Sequence, residues 1–230
     1  MTPQHLTVLL AHLGRCFEYP RGEFLDSQKD FCMPELLGFH KAMNTLNADE
    51  REELYTSTFD MSPACVPYIS VYLFGEEDIR RNAFMAGLQA RYEESGFSYS
   101  GDLPDHLSII LRFAATTNPK EIRELAEFCF LHPFKKMREA LNLNNPYYLL
   151  IECAQNVLLQ AFPGIKPAIS PLEQMQQNGP VCPKEGCCNV ASTNQEVPIE
   201  ISIKAHNQAN QFSFGQRRHG GTLSFERWRD

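Results

Sequence analysis

Residues 102–107 read Asp102-Leu103-Pro104-Asp105-His106-Leu107, which places a proline and two acidic residues directly before the apolar segment that contains Leu111-Arg112-Phe113. Proline is tolerated in the first helical turn, and aspartate is a common N-cap. The pattern therefore predicts that Asp102 caps a helix over about 103–117. Capping does not require a histidine, so the adjacent Asp105 and His106 are candidates for a recognition role.

Similar helix signals recur on both sides of this stretch. Thr2-Pro3 opens an apolar helical repeat that ends near Cys16, and Asn47 with Glu50 forms a capping-box pattern. Further predicted helices cover about 34–46, 47–59, 68–74, 76–95, 119–131 and 146–162, with Gly96 as a left-handed C-cap and His132-Pro133 as a helix end. No run before Phe162 alternates with period two. The predicted fold class is all-α, a compact single-domain multi-helix bundle with a low-order C-terminal tail.

The composition changes after Phe162. The remaining residues contain six prolines, Gln-rich patches and few large apolar side chains, which predicts little capacity to form a core. Residues 1–162 carry 14 Lys and Arg against 22 Asp and Glu, whereas residues 163–230 carry 7 against 6. We expect a helical domain at 1–162 and an irregular tail at 163–230, with one short strand near 197–204 where Ile199, Ile201 and Ile203 alternate with polar residues.

Charge and hydropathy exclude several classes of partner. A net charge of -7 argues against a nucleic-acid surface and favours a basic peptide as the charged partner. No apolar run of about 18 residues and no secretory signal pattern are present, so we expect a cytoplasmic protein without direct membrane insertion. Five of the eight cysteines lie in or beside apolar helical patterns and are predicted to be reduced packing residues: Cys16, Cys32, Cys65, Cys129 and Cys153.

The usual signatures of enzymes are missing from the chain. It has no phosphate-binding glycine loop, no G-x-S-x-G and no H-E-x-x-H. Asp105 and His106, if helical, would point about 100° apart and could not form a relay with each other. We therefore predict no catalytic activity and no bound cofactor.

An ordered series of motifs resembles one known family. The series contains Tyr55, Phe59 and Asp60, then Tyr72-Leu73-Phe74, then Pro104-Asp105-His106 before Leu107. In order and spacing, over roughly residues 6–159, the series resembles the nitrate reductase delta-subunit (NarJ-type) family of molybdoenzyme assembly chaperones, within the wider TorD and DmsD group.

That resemblance implies a function and a site. It implies a compact helical chaperone that binds the N-terminal segment of an apo molybdoenzyme catalytic subunit and assists molybdenum cofactor insertion, with respiratory nitrate reductase as the leading client. It also implies a set of peptide-binding residues: Tyr55, Phe59, Asp60, Tyr72, Leu73, Phe74, Pro104, Asp105 and His106. An amphipathic leader helix would place its apolar face on the aromatic side chains and its basic residues near the carboxylates.

Other interpretations stay open at this point. Taken alone, Asp105 also suits a helix terminus, and Phe59, Tyr72 and Phe74 also suit a core. The client could be another oxidoreductase of the dimethyl sulfoxide reductase type. A different class of function is a metal- or redox-responsive protein that uses Cys182, Cys187 and Cys188, although their spacing only approximates a zinc or iron-sulfur motif.

Overall fold

The computed structural model describes residues 1–21, 33–61 and 63–177. In chain order these ranges form α1 (Pro3–Cys16), α2 (Pro34–Asn44), α3 (Ala48–Phe59), α4 (Ile69–Phe74), α5 (Arg80–Ser95), α6 (Leu107–Ala114), α7 (Pro119–Leu125), a π-helical segment (Ala126–Phe130), α8 (Leu131–Ala140), α9 (Pro146–Ala161) and α10 (Pro171–Gln177). Within the described residues no strand forms, and an isolated antiparallel bridge joins Tyr68 to His106. The predicted all-α class is confirmed for this part of the chain.

Local capping explains where several helices begin and end. The hydroxyl of Thr2 accepts a hydrogen bond from the backbone N–H of His5 at 3.2 Å, and Pro3 occupies the first turn of α1. Asn47 and Glu50 form the reciprocal capping box of α3, with bonds of 3.0 and 2.8 Å. Gly96 ends α5 in the left-handed conformation, with φ of 70°. These three sequence predictions are confirmed.

The apolar core lies where α1 packs against α6 and α9, and where α2 and α8 also pack against α9. Six aromatic side chains are the largest that are fully buried in it: Phe17, Phe39, Tyr92, Phe130, Phe134 and Tyr147. Among the helices of the described residues, none has both the length and the hydropathy needed to cross a membrane.

Four cysteines confirm the prediction that they act as packing residues. Cys16, Cys65, Cys129 and Cys153 are free and buried. Burial raises the pKa of each of the last three thiols to about 12, so the reactive thiolate is strongly disfavoured. Cys32 lies outside the described residues.

Gly14 allows α1 and α6 to approach closely. A Cβ atom at this position would lie 2.7 Å from Cγ of Arg112 and 2.9 Å from the backbone oxygen of Ser108. The second contact is with backbone, which cannot move aside as a flexible side chain can. The absence of a side chain at Gly14 therefore sets the distance between these two helices.

We expect Gly14→Ala to lower the free energy of unfolding by about 1–3 kcal/mol, the usual range for overpacking a core. Gly87→Ala is the matched control, because Gly87 lies in α5 with nothing within 4 Å of an added Cβ. That control should be neutral or stabilising by up to about 1 kcal/mol, since alanine is the better helix former. Urea unfolding followed by circular dichroism measures both. Equal effects of the two substitutions would contradict close packing at Gly14.

Two predicted helix starts are wrong. The helix predicted over 103–117 begins at Leu107, with His106 as its N-cap, and Asp102 is an exposed residue of the preceding turn. The helix predicted from Glu76 begins at Arg80. In both cases acidic residues that suit a first helical turn lie in the turn before it. Long-range backbone bonds from Ile69 and Leu107 hold the turn before α6, whereas Asp78 accepts a bond from the N–H of Arg80 at the start of α5.

The predicted helix end at His132-Pro133 is also wrong. Helix continues through this point, from α7 across the π-helical segment into α8, where both residues are buried. The backbone N–H of Leu131 donates to the carbonyl of Ala126, five residues earlier. A proline ring crowds the carbonyl four residues before it and has no N–H. The π-helical segment contains Cys129, the residue four before Pro133, and its wider turn displaces the backbone that would otherwise clash with the ring.

The segment after Phe162 contributes structure as far as Gln177. Ile165 and Ser170 are buried, the backbone N–H of Ala168 donates to the carbonyl of Glu127 at 2.9 Å, and α10 follows. The strand predicted near 197–204 and the candidate metal ligands Cys182, Cys187 and Cys188 lie outside the described residues. The domain division at residue 162 stays a prediction.

Candidate functional site

The turn before α6 is fixed by backbone hydrogen bonds to the segment before α4. The N–H of Ile69 donates to the carbonyl of Asp105 at 3.1 Å, and the N–H of Leu107 donates to the carbonyl of Pro67 at 2.8 Å. Tyr92 adds a third contact, because its hydroxyl donates to the carbonyl of Pro104 at 2.8 Å. The turn and the start of α4 therefore form one rigid unit.

Asp105 lies at the centre of this unit and is fully buried. Its Oδ2 atom accepts hydrogen bonds from the backbone N–H of Ser70 at 3.1 Å and from the Ser70 hydroxyl at 2.5 Å. The guanidinium Nε of Arg81 donates to the same hydroxyl at 2.9 Å and thus compensates the carboxylate charge through Ser70. The other carboxylate oxygen, Oδ1, is buried without a hydrogen-bond partner.

His106 is a neutral N-cap with its ring buried. Its Nδ1 atom accepts from the backbone N–H of Ser108 at 3.2 Å, which assigns the remaining proton to Nε2. Nε2 lies 3.4 Å from the hydroxyl of Tyr55, which is also 3.4 Å from the carbonyl of Phe17. Burial lowers the pKa of His106, against the opposing effect of Asp102 and Asp105, so the imidazole is uncharged near neutral pH.

The aromatic residues predicted for the site form a buried cluster at the end of α3. The rings of Tyr55 and Phe59 lie 5.0 Å apart, and the ring of Phe59 lies 4.8 Å from that of Tyr147 in α9. Both α3 residues are less than a tenth exposed. Their contacts are those of a core, so the competing core interpretation describes them well.

Three of the predicted site residues keep exposed surface. Asp60 at the C-terminal end of α3 is exposed, and Tyr72 and Pro104 are half-buried. Leu73 and Phe74 are buried, as are Asp105 and His106. The prediction that Asp105 and His106 lie on a helix is wrong, because both precede α6. The role of all nine residues in peptide binding stays a prediction.

An accessible surface lies above the buried groups, and sequence reasoning missed most of it. Asp60 and Asp102, both exposed, raise the pKa of the half-buried Tyr68, after the larger effect of desolvation. Tyr68 packs edge-on against His106 with ring centroids 5.4 Å apart, and Leu103 is 46 % exposed beside Asp102. We call Asp60, Tyr68, Asp102 and Leu103 the acidic-aromatic patch. The fold brings both carboxylates within electrostatic range of Tyr68, so no sequence spacing could reveal the patch.

The chain's own helix α10 covers part of α4. Arg80 Nη2 lies 2.7 Å from the sulfur of Met175. Cδ1 of Leu172 would lie 3.7 Å from a Cβ added at Gly75, at the end of α4. Glu173 pairs with the ring of His132 in α8 at 3.4 Å. The segment Tyr72-Leu73-Phe74, predicted as an apolar groove, is therefore next to an intramolecular helix.

Comparison with known proteins gives two matches. Residues 21–144 match the family described as "Nitrate reductase delta subunit", which is more than half of the 230 residues. A protein of Bacillus subtilis (strain 168), named "Probable nitrate reductase molybdenum cofactor assembly chaperone NarJ", is 28% identical over 115 residues. That alignment covers 50% of this chain and 61% of the Bacillus protein, so the chain spans less than two thirds of this relative. The family match, which includes the start of α4, the turn and α6, shows that the chain belongs to the nitrate reductase delta subunit family.

Proposed function

We propose that this protein is a non-enzymatic cytoplasmic chaperone that assists molybdenum cofactor insertion into a respiratory nitrate reductase. The observation that carries the proposal is family membership through residues 21–144, and the name of the Bacillus relative supports it. The partner in this proposal is the apo catalytic subunit, held by its N-terminal segment. Another oxidoreductase of the dimethyl sulfoxide reductase type is the alternative client.

Within this proposal the site has two layers. The acidic-aromatic patch and the half-buried Tyr72 and Pro104 contact the peptide directly. The buried Asp105 and His106 position the turn that carries Pro104 and Leu103. A carboxylate with no exposed surface cannot meet a peptide cation without leaving Ser70, which would break two hydrogen bonds.

Charge complementarity supports a basic, partly apolar client segment. Residues 1–162 carry an excess of eight acidic residues, and the patch places Asp60 and Asp102 beside Tyr68 and Leu103. Exposed carboxylates mainly accelerate and orient binding of a cationic partner, whereas aromatic and aliphatic surface supplies most of the affinity. A peptide with arginine or lysine next to leucine or phenylalanine matches both parts.

Capture from the native host tests the client assignment. The full chain, immobilised and exposed to host extract under reducing conditions, should retain a molybdoenzyme catalytic subunit in its cofactor-free form. Retention of a nitrate reductase subunit supports the leading client, and retention of a different molybdoenzyme replaces it with the alternative. A chain that retains no molybdoenzyme, and whose deletion from the host leaves nitrate reductase activity unchanged, contradicts the chaperone proposal.

The double substitution Asp60→Asn with Asp102→Asn should weaken binding of the client's N-terminal peptide about threefold to tenfold at low salt, because two exposed charges contribute modestly. The difference should shrink at high ionic strength through screening. Calorimetric titration at two salt concentrations measures it. The control removes two exposed carboxylates elsewhere, Asp49→Asn with Glu94→Gln. Equal losses in both double variants would show that net charge, not the patch, attracts the peptide.

A further inference from the structure

Three potential metal ligands meet in the core between α1 and α2. His12 and Cys16 are four residues apart on α1, which places them on one helix face, and His40 faces them from α2. The Nε2 atoms of the two histidines are 2.9 Å apart, and the three ligand atoms all lie within 4.8 Å of one another. All three residues are buried: His12 is 8% exposed, and Cys16 and His40 are each 3% exposed. Such convergence of two imidazoles and a thiol has no role in the site described above.

We propose that His12, Cys16 and His40 form a binding site for a thiophilic d10 metal ion, Cu⁺ or Zn²⁺. Two imidazole nitrogens and one sulfur are the ligands that these ions prefer, whereas Mg²⁺ and Ca²⁺ prefer oxygen. The ion takes the place of the proton shared between the two Nε2 atoms. The histidine that carried this proton takes it up at its own Nδ1, so both imidazoles stay neutral. Small movements of the two histidine side chains then open their 2.9 Å separation to the slightly longer spacing of two ligands on one metal.

The protonation states of the ligands are compatible with this exchange. Burial, together with His40 and Arg15, lowers the pKa of His12 to about 4, so its imidazole is neutral as a metal ligand must be. Burial raises the pKa of Cys16, so the metal-free thiol is protonated. Binding therefore releases the thiol proton to solvent as the metal–sulfur bond forms, with no change of oxidation state.

Charge and coordination number separate the two ions. Cu⁺ with one thiolate and two neutral imidazoles is uncharged overall, which suits a buried site near the positive charge of Arg15. Zn²⁺ leaves a net positive charge and usually takes a fourth ligand. We therefore expect tighter binding of Cu⁺, and Zn²⁺ as the weaker occupant.

The test uses the full chain with Cys182→Ser, Cys187→Ser and Cys188→Ser, so that these tail thiols cannot contribute. The purified, reduced protein is titrated anaerobically with Cu⁺ against a chromogenic Cu⁺ chelator, and separately with Zn²⁺ against a zinc chelator. The expected result is one equivalent bound. In this background Cys16→Ser should weaken binding at least about 100-fold, since even outer-shell partners are commonly worth about 10- to 100-fold.

Cys129→Ser is the matched control, because it removes another buried thiol, from the π-helical segment. It is preferable to Cys153, whose thiol is close enough to raise the pKa of Cys16. Circular dichroism confirms that each variant is folded, and His40→Gln replaces Cys16→Ser if that variant is not. X-ray absorption at the metal edge should show sulfur and nitrogen ligands in the bound protein.

Three outcomes overturn the proposal. The first is that neither Cu⁺ nor Zn²⁺ binds stoichiometrically. The second is that the Cys16 and Cys129 variants bind metal with equal affinity. The third is an X-ray absorption spectrum that shows no sulfur ligand. If the protein binds Zn²⁺ but not Cu⁺, and Cys16→Ser alone loses the Zn²⁺, the proposed ligands are kept and the expected preference for Cu⁺ is reversed. None of these results depends on a client peptide, so the metal site and the chaperone function can fail separately.

Discussion

The substitution Asp105→Ala is expected to lower the free energy of unfolding by at least about 3 kcal/mol, as removal of one partner from a buried charged group commonly does. Oδ2 of Asp105 accepts both hydrogen bonds of Ser70, and Arg81 donates to the same serine hydroxyl. Alanine leaves these donors without their acceptor in a site closed to water. Chemical denaturation followed by circular dichroism measures the change.

Asp102→Ala is the control for this prediction. Asp102 is exposed and lies three residues before Asp105 in the same turn. Its removal should change stability by less than about 0.5 kcal/mol. Asp105→Asn preserves the shape of the side chain and loses the charge, so it should fall between the two alanine variants. A loss of stability that decreases from Asp105→Ala through Asp105→Asn to Asp102→Ala would show that the Asp105 carboxylate has a structural role. Equal losses would show that only the negative charge of the turn matters.

The same variants separate positioning from direct peptide contact. If Asp105 positions the turn, peptide affinity should fall together with stability, and Asp105→Asn should recover part of both. If Asp105→Ala were as stable as Asp102→Ala but had lost peptide binding, Asp105 would be a direct contact. Its buried state would then not be the conformation that binds peptide.

Features of the fold that depend on local chemistry were predictable from the sequence. Thr2 with Pro3, Asn47 with Glu50, and Gly96 each act through bonds or dihedral angles within a few residues. All the residues that each of these features needs lie within a few positions of one another in the sequence. The two helix starts after Thr2 and Asn47 and the helix end at Gly96 are correct for the same reason.

Features that depend on distant partners were not predictable. Asp105 can be buried because Ser70, 35 residues earlier, donates hydrogen bonds to its carboxylate. Arg81 donates to the same serine and compensates the negative charge. Pro133 is tolerated inside a helix because a π turn precedes it, and a turn of this kind has no sequence signature. His40 meets His12 only because α1 and α2 both pack against α9.

The order of the family motifs was a better guide than the exposure of their side chains. It indicated the correct family, although six of the nine predicted peptide-binding residues are buried. The accessible patch beside them contains Tyr68, Asp102 and Leu103, which the predicted set did not include.

In the full chain, Leu172→Asp is expected to increase affinity for the client's N-terminal peptide about 10-fold. Helix α10 has only seven residues, too few to be stable without its packing on α4 and the pairing of Glu173 with His132 in α8. Under the proposed function, Tyr72 of α4 contacts the peptide, so α10, which packs against α4, competes for this surface. Placing a carboxylate where Leu172 meets Gly75 undocks the helix and removes that competition, and 10-fold corresponds to about 1.4 kcal/mol.

Gln176→Asp is the matched control for undocking, because Gln176 is exposed on the same helix and the added charge is identical. It should leave peptide affinity within about twofold, since one exposed charge has a small effect. Hydrogen exchange of residues 171–177 shows whether α10 has undocked, and Gln174→Pro provides a second way to break it. If α10 is undocked and affinity does not rise, the peptide does not bind the face of α4 that α10 covers. The acidic-aromatic patch would then have to bind the client without Tyr72, Leu73 and Phe74.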